Sequence, residues 1–465
     1  MNQYSTFAGF YELCSETETI FENRWKQADE ISRRLGLERE KRAILGWEED
    51  MEYYRSQIRN ILDDMPESRA VQCPPWYKSL ADGIFAELYG LAGLEPWIYN
   101  EKEEYIYSSS AKLIGERIYC LIGGVSVLQP QRISARRREQ LKRALLMAYP
   151  RERVEKGFHE IYLHNGIRIT IYSGEKTKEG QEIMVFRKYI VRELTFEKLA
   201  SLGTIPADAC ELFKTMVKIG FNVIFMGQVR AGKTVFLQTW QRYEDKGMEG
   251  LAISTDPETP WHEIMPEAPI MQIVADGEDL QAVSKSMLRG DNDYILLEEM
   301  RDADAFRLAI DITSAGTLRT KATIHGGSAQ EIPYKMAAAV AAKFGGSLRA
   351  MIAQIYSNFN YVFELCQAPW DRSKKILKTI SEYRYDAHTD TVSVHDICRY
   401  DHQEDRWRWK HDIGEDKREM GKLQPDEFKK MDKMLRMLAD RNPITENTVI
   451  YPRYYGNGGE DRDVR

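Results

Sequence analysis

Residues 227–234 read GQVRAGKT, and this stretch decides the fold. It fits the pattern G-x-x-x-x-G-K-[ST], in which a glycine-rich turn presents backbone N–H groups to phosphate. The apolar run NVIFM before it is typical of a buried parallel strand, and VFLQTWQRY after it fits a helix. A glycine turn with an exposed lysine is the simpler alternative, but the flanking elements argue against it. The order of strand, glycine loop and helix therefore predicts a phosphate site at a helix N-terminus, where the helix dipole adds positive charge.

The positions of this loop have separate expected roles. Gly227 and Gly232 let the backbone bend toward a β-phosphate. Lys233 is expected to neutralise the β- and γ-phosphates, and Thr234 to offer its hydroxyl to Mg²⁺. Arg230 is a bulky cation at a position where small residues are common. Three alternatives are open for its side chain: contact with the nucleotide, contact with a neighbouring subunit, or exposure to solvent. The residues of the loop predicted to bind nucleotide are Gly227, Gln228, Val229, Arg230, Ala231, Gly232, Lys233, Thr234 and Val235.

A second buried-strand pattern ends in two carboxylates. Residues 294–297 read YILL, and Glu298 and Glu299 follow. Because ligands of open α/β sheets bind at the carboxyl ends of strands, these glutamates are expected beside the phosphate loop. A carboxylate there can hold Mg²⁺ through water or polarise an attacking water. The simpler interpretation is that both glutamates lie on the surface at the start of a helix. Arg301 follows at once and can pair with a carboxylate or a phosphate.

The composition excludes several classes of protein. A length of 465 residues predicts two or three domains. The formal net charge of −7 disfavours general nucleic-acid binding, which draws on basic surface. The 6 cysteines have no metal-ligand or redox spacing, which predicts buried, reduced thiols. The N-terminal sequence lacks the features of a signal peptide, and no run approaches the roughly 20 apolar residues of a membrane span.

Patterns along the chain predict an α/β protein with distinct parts. Helical periodicity runs through the N-terminal part, and strands alternate with helices from Asn222 onward, as in a largely parallel sheet. The stretch HEIYLHNGIRITIY predicts a β-hairpin that turns at Asn165-Gly166, a dipeptide typical of a type I′ turn. The predicted parts are a helical N-terminal extension over 1–78, a smaller α/β domain over 79–180, a linker over 181–205, a domain built on the phosphate loop over 206–400 and a polar tail with one helix over 401–465.

Further segments carry a resemblance to a known family. LAISTDPETP (251–260) stands where that family has its Asp box, LLEEMRD (296–302) looks like its Walker B segment, and TKATIHGGSA (320–329) looks like its His box. VFRKYI (185–190) resembles the segment that joins the two family domains. With the phosphate loop, these segments make the chain similar to the type II/type IV secretion ATPase superfamily, with most similarity to the tight-adherence (Flp-type) pilus ATPases.

The resemblance implies a RecA-like P-loop core behind a smaller α/β N-terminal domain and a helical extension, with ATP and Mg²⁺ bound between the two domains of a hexamer. It implies that Glu299 is the catalytic glutamate and a Mg²⁺ ligand beside Thr234. It also implies that His325 senses the state of the nucleotide and that Arg187 reaches the nucleotide. Asp256 matches the Asp-box aspartate, and Arg289 matches an arginine before the Walker B strand.

Two departures from the family pattern stand out. Thr255 occupies a position that is usually Glu, and Glu298 occupies one that is usually Gly. We expect Glu298 or Glu258 to supply the carboxylate missing at Thr255. ATP turnover of Glu258→Gln and Glu298→Gln tests this hypothesis, and near-normal rates in both variants would contradict it.

The leading functional prediction is a hexameric ATPase motor. It would hydrolyse ATP to power pilus assembly or protein secretion through an inner-membrane platform protein, from the cytoplasm and at the inner face of a bacterial membrane. A DNA-handling RecA-like ATPase is a second reading, disfavoured by the acidic charge and the His box. A catalytically weakened nucleotide-binding scaffold is a third, supported by Thr255 alone.

Overall fold

The structure is a computed structural model that describes residues 3–149, 157–190, 195–254, 259–275, 277, 279–282 and 291–455. The chain divides into two compact units, residues 1–190 and 191–465. Each unit contains its own β-sheet. The boundary between the units falls within the predicted linker, and the finer division into five parts remains a prediction.

The helices of the first unit pack through apolar faces. Phe10, Tyr54, Ile58 and Phe85 from three of these helices share one buried cluster. The described helices of this unit are α1 (Gln3–Thr6), α2 (Ala8–Gln27), α3 (Glu30–Ile44), α4 (Glu48–Asp63), α5 (Leu80–Leu88), α6 (Glu95–Ile98), α7 (Glu103–Ile106) and α8 (Ala135–Met147). Apolar residues recur at helical spacing in these segments, and the structure forms helices there, as the periodicity predicts.

An antiparallel sheet forms the rest of the first unit. Its strands are β1 (Ser110–Ile114), β2 (Arg117–Ile122), β3 (Val125–Arg132), β4 (Phe158–Tyr162), β5 (Arg168–Tyr172) and β6 (Ile183–Arg187), in the order β3-β2-β1-β6-β5-β4. The predicted hairpin is confirmed as β4 and β5. The predicted type I′ turn is wrong, because only Gly166 has a positive φ, of 79°, and its N–H closes a turn onto Leu163. A type I′ turn needs positive φ at both central residues.

The sheet of the second unit is parallel over much of its width. Its strands are β7 (Val223–Gly227), β8 (Gly250–Ser254), β9 (Ile270–Val274), β10 (Tyr294–Met300), β11 (Lys321–Ile324), β12 (Tyr361–Ala368), β13 (Asp371–Asp386), β14 (Thr391–Asp401), β15 (Arg406–Trp409) and β16 (Val449–Ile450). The order is β15-β14-β13-β12-β7-β11-β10-β8-β9, and β16 pairs with β14. Strand β7, which leads into the phosphate loop, therefore lies between β11 and β12, with β10 one strand further away.

Helices cover both faces of this sheet. Ile224 and Met226 of β7 join one buried cluster, and Phe225 between them joins an aromatic cluster that includes Phe213 and Trp240. Opposite faces of one strand thus enter two separate cores, as alternation requires. The described helices of the unit are α9 (Phe196–Ser201), α10 (Cys210–Ile219), α11 (Lys233–Gln241), α12 (Trp261–Ile264), α13 (Ala303–Ser314), α14 (Ile332–Phe344), α15 (Leu348–Asn358), α16 (Glu415–Gly421) and α17 (Pro425–Arg441). The predicted α/β class is confirmed. The helix predicted in the tail corresponds to α17, and the same part of the chain also contains α16, β15 and β16.

None of the helices among the described residues is long and apolar enough to cross a membrane.

Candidate functional site

The phosphate loop joins β7 directly to α11. Gly227 has a φ of 150°, and Gly232, at the N-cap of α11, has a φ of 92°. A Cβ on Gly227 would lie 2.2 Å from the backbone oxygen of Leu365, so only glycine fits there. Both glycines hold backbone conformations that L side chains rarely adopt. The loop therefore turns sharply enough to bring the N-terminus of α11 to the carboxyl end of the sheet.

Lys233 is the first residue of α11, and its ammonium group lies inside the loop. The side chain donates hydrogen bonds from Nζ to the backbone oxygens of Gly227, at 3.2 Å, and Gln228, at 3.1 Å. Only 8% of the residue is exposed, and burial lowers the pKa of Lys233 to about 8. The lysine is thus held beside the backbone of the loop, at the position from which it can meet a phosphate.

Glu299 reaches the site because its strand is interrupted. The pairing of β10 with β11 is irregular between Leu297 and Met300, and Glu299 has a φ of 57°. Its N–H donates to the hydroxyl of Thr323, with 2.7 Å between N and Oγ1. Bulges of this kind re-aim side chains near active sites. A left-handed conformation costs a non-glycine residue roughly 1–3 kcal/mol, which the surrounding structure must offset.

Among the described residues, two side chains hold the carboxylate of Glu299. Arg301 forms an ion pair with it at 2.6 Å, and His325 lies 3.2 Å away, measured from Nε2 to Oε1. Burial raises the pKa of Glu299, but the ion pair with Arg301 and the hydrogen bond from His325 outweigh burial, so the pKa lies below its ordinary value. Glu299 is therefore ionised near neutral pH.

His325 connects Glu299 to Lys233. Its Nδ1 lies 3.3 Å from Nζ of Lys233, on the side of the ring away from Glu299. Burial, reinforced by the charge of Lys233, lowers the pKa of His325. Because an ammonium only donates and a carboxylate only accepts, a neutral ring that carries its proton on Nε2 satisfies both neighbours. Strand β11, which ends just before His325, lies between β7 and β10, and this strand order creates the contact.

The remaining predicted loop residues take varied positions. Gln228, Val229 and Arg230 are exposed, and Arg230 has a left-handed φ of 65°. Ala231 is buried, whereas Thr234 and Val235 are half-buried on the first turn of α11.

The other predicted residues stand on strands β6 and β10 or lie outside the described residues. Glu298 is buried on β10 and pairs in register with Ser254, the last residue of β8. Arg187 is exposed at the end of β6 in the first unit. Asp256, Glu258 and Arg289 lie outside the described residues. The expectations for these five predicted residues stay predictions.

The geometry fits a nucleotide with Mg²⁺. Within the described part of the chain, no group of three His, Cys, Asp or Glu side chains is placed to hold a metal by itself. Mg²⁺ at phosphate loops does not need such a group, since substrate phosphates and waters supply most of its ligands. The hydroxyl of Thr234, on the first turn of α11, and the carboxylate of Glu299 are oxygen donors of the type that Mg²⁺ prefers.

Sequence reasoning missed two residues that the structure places here. Thr323 accepts the hydrogen bond that holds Glu299 in its bulge. It stands two residues before His325 in the predicted His box. An expectation that this segment pairs with β10 would have placed Thr323 close to Glu299. Lys375 lies against Gly232, and nothing in the local sequence around Lys375 indicates this contact.

Comparison with known proteins finds a family match and distant structural similarity. Residues 177–403 match the family described as "Type II/IV secretion system protein". No curated protein matches the chain. Three solved structures with 14–15% identity are similar to the chain.

The first is the VirB11 ATPase of the Brucella suis type IV secretion system in complex with sulphate, at 15% identity and a TM-score of 0.33, covering 62% of this chain and 95% of that one. The second is the ATPase DotB of Legionella pneumophila, at 14% identity and a TM-score of 0.44, covering 75% and 88%. The third is the pilus retraction motor PilT with bound ADP, at 15% identity and a TM-score of 0.43, covering 75% and 93%.

The family match includes β6, the phosphate loop, β10 and the segment with His325. The predicted fold class, a RecA-like core that follows a smaller α/β N-terminal domain along the chain, is confirmed. The closer relationship to tight-adherence pilus ATPases stays a prediction. The similarity of this chain to the family of type II/IV secretion system proteins therefore rests on residues 177–403.

Proposed function

We propose that this protein is a Mg²⁺-dependent ATPase that works as a hexameric motor. It powers pilus assembly or protein secretion through an inner-membrane platform protein, at the inner face of a bacterial membrane. The observation that carries the enzymatic proposal is the row of contacts from Lys233 through His325 to Glu299. The family match supports the proposed role in secretion.

The residues of the site divide the work of phosphoryl transfer. The N-terminus of α11 and Lys233 bind the phosphates and stabilise the negative charge that develops as the terminal phosphate is transferred. Mg²⁺, when bound near Thr234, supplies further charge neutralisation. Glu299, ionised at neutral pH, accepts a hydrogen bond from the attacking water and orients it.

His325 gives the site a way to respond to the nucleotide. Its ring touches Lys233 on one side and Glu299 on the other, so a shift of the lysine onto a phosphate changes the hydrogen bonding of the carboxylate. The exposed fraction of the His325 side chain is 35%, which leaves the ring room to move. This coupling is the proposed basis for sensing the state of the nucleotide.

The test is Mg²⁺-dependent ATP hydrolysis by the full chain, with the mass of each sample measured by light scattering. We expect Lys233→Ala and Glu299→Gln each to lower the rate about 100-fold or more, since each removes a group that acts on the transferred phosphate or the water. Lys246→Ala is the matched control, because Lys246 is exposed and pairs only at the surface with Glu267.

Other outcomes favour the alternative functions. Stimulation by DNA would support a DNA-handling ATPase. Nucleotide binding without turnover, in a sample of the expected mass, would support a scaffold. Full activity of Glu299→Gln would contradict the catalytic role given to that residue.

A further inference from the structure

The β12–β13 hairpin forms one wall of the phosphate loop. Leu365 of β12 pairs with Gly227, the last residue of β7, and β12 continues beyond that point to Ala368. The backbone oxygen of Leu365 approaches Gly227 so closely that no side chain fits between them. The hairpin therefore extends past the end of the parallel sheet, on the side where the loop binds its ligand.

Lys375 lies on the returning strand of this hairpin. It pairs with Gln367, and its Cγ and Cβ atoms lie 3.4 and 3.6 Å from the position that a Cβ on Gly232 would occupy. The aliphatic part of the lysine is thus packed along the residue that precedes Lys233. The ammonium group donates to the backbone oxygen of Arg372, within the same hairpin, and the residue is half-buried.

We propose that Lys375 is a second lysine of the phosphate site and contacts the phosphate chain of a bound nucleoside diphosphate or triphosphate. This inference rests on the proposed function and deepens it. Two methylenes separate Cγ from the ammonium, so the charge can turn toward the phosphates while the packed part of the stem stays against Gly232.

The charges of the site favour this assignment. Lys233 is the buried cation of the loop and lies on its inner side. A nucleoside triphosphate carries more negative charge than one lysine and a helix N-terminus balance, and further charge-assisted hydrogen bonds from a cation on the outer side strengthen binding. Lys375 has such a position, on the wall formed by the hairpin.

A purely structural role makes a different prediction. If Lys375 only packs against Gly232, an uncharged side chain of similar length serves equally well. Lys375→Met keeps the stem and removes the charge, whereas Lys375→Arg keeps the charge. Lys374→Met is the matched control, because Lys374 is the exposed neighbour and its side chain points to the other face of β13.

The experiment measures binding of MgADP to the full chain by isothermal titration calorimetry. We expect Lys375→Met to weaken binding roughly tenfold and Lys374→Met to change it less than twofold. Lys375→Arg should bind within a fewfold of the unaltered chain. The dependence of the Kd on salt concentration should also become shallower in Lys375→Met, since one ionic contact is lost.

The outcomes separate this inference from the proposed function. An unaltered chain that does not bind MgADP would overturn both. An unaltered chain that binds MgADP, with equal affinities in Lys375→Met and Lys374→Met, would overturn only the role of Lys375.

A second measurement needs no substitution that threatens folding. Acetylation of lysines in the unaltered chain, followed by mass spectrometry, should show that MgADP protects Lys375 severalfold while labelling of Lys374 stays constant. Equal labelling of Lys375 with and without MgADP would overturn the proposal.

Discussion

Glu299 shows how a single residue is placed against the preference of its own backbone. Its φ of 57° is one that a glutamate rarely adopts, and it falls within the irregular pairing of β10 with β11. The hydroxyl of Thr323 holds its N–H, and Arg301 and His325 hold its carboxylate. The strain is therefore offset by contacts that all converge on the proposed catalytic group.

Removal of Arg301 should move the pH dependence of ATP hydrolysis. In Arg301→Ala, burial still raises the pKa of Glu299, and the ion pair that opposes burial most strongly is lost, so the pKa rises. Because the proposed mechanism needs the ionised carboxylate, the loss of activity on the acid side should begin at a higher pH in Arg301→Ala than in the unaltered chain. The measurement is kcat of both proteins across a pH range that begins below the ordinary pKa of a glutamate and extends to pH 9.

The control for this prediction is Arg307→Ala. Arg307 is exposed on α13 and pairs with Asp311, away from Glu299. Arg301→Ala could instead lose activity at the same acidic pH as the unaltered chain, with a lower rate at every pH. That result would show that Arg301 does not set the pKa of Glu299.

At the scale of elements, the contact between β7 and β12 fixes the shape of the loop. Gly227→Ala places a Cβ against the backbone oxygen of Leu365, and backbone cannot move aside as a side chain can. We expect a loss of about 1–3 kcal/mol in the free energy of unfolding, together with weaker binding of MgADP. Urea unfolding and calorimetry check the two effects.

Gly247→Ala provides the comparison for that variant. Gly247 has no positive φ, and its Cβ would meet only a side-chain oxygen of Asp245, at 3.4 Å. If both alanine variants are equally stable, the close approach of β12 to the loop is not as tight as the structure shows.

A buried ion pair lies at the start of β11, beside the start of β7. Lys321 begins β11, and its ammonium donates to Glu244, which also accepts from Arg319. The side chains of Lys321 and Glu244 are each 1% exposed. Glu244→Gln leaves Lys321 buried without a full counter-charge, and we expect a loss of about 3–5 kcal/mol in the free energy of unfolding by urea.

Two further variants test that interpretation. Glu267→Gln removes the exposed partner of Lys246 and should leave the unfolding midpoint almost unchanged. The double variant Glu244→Leu with Lys321→Met should recover much of the lost stability, because no buried charge remains from the pair. A double variant as unstable as Glu244→Gln would argue against the loss of charge compensation as the cause.

At the scale of the whole molecule, the predicted site residues are divided between the two units. The phosphate loop, Glu299 and His325 all belong to the second unit, whereas Arg187 ends β6 in the first. If the first unit supplies Arg187 to the nucleotide, Arg187→Ala should lower ATP hydrolysis at least tenfold while the mass of the oligomer stays the same.

Steady-state hydrolysis and light scattering test the prediction for Arg187. Arg143→Ala is its control, since Arg143 is exposed on α8 and pairs with Glu139. Normal hydrolysis by Arg187→Ala would show that the first unit acts in some way other than through this arginine.

Much of the candidate site was predictable because its signals are local. The apolar run 222–226 predicts β7, and VFLQTWQRY predicts most of α11. The tail helix was predicted over the residues of α17, Pro425–Arg441, because its amphipathic period is unbroken. The turn at Asn165-Gly166 was predicted wrongly, because the dipeptide signal does not specify how many residues the loop contains.

The sequence by itself determined the phosphate loop and the buried strand that carries Glu298 and Glu299, because each depends on residues that are neighbours along the chain. Only the tertiary structure decided that Glu299, rather than Glu298, contacts His325, and that Lys375 lies against Gly232. These contacts depend on the order of β7, β11 and β10 in the sheet, on the irregular pairing of β10 with β11, and on the extension of the β12–β13 hairpin past the end of β7. All three arise from hydrogen bonds between distant segments, which no local pattern of residues encodes.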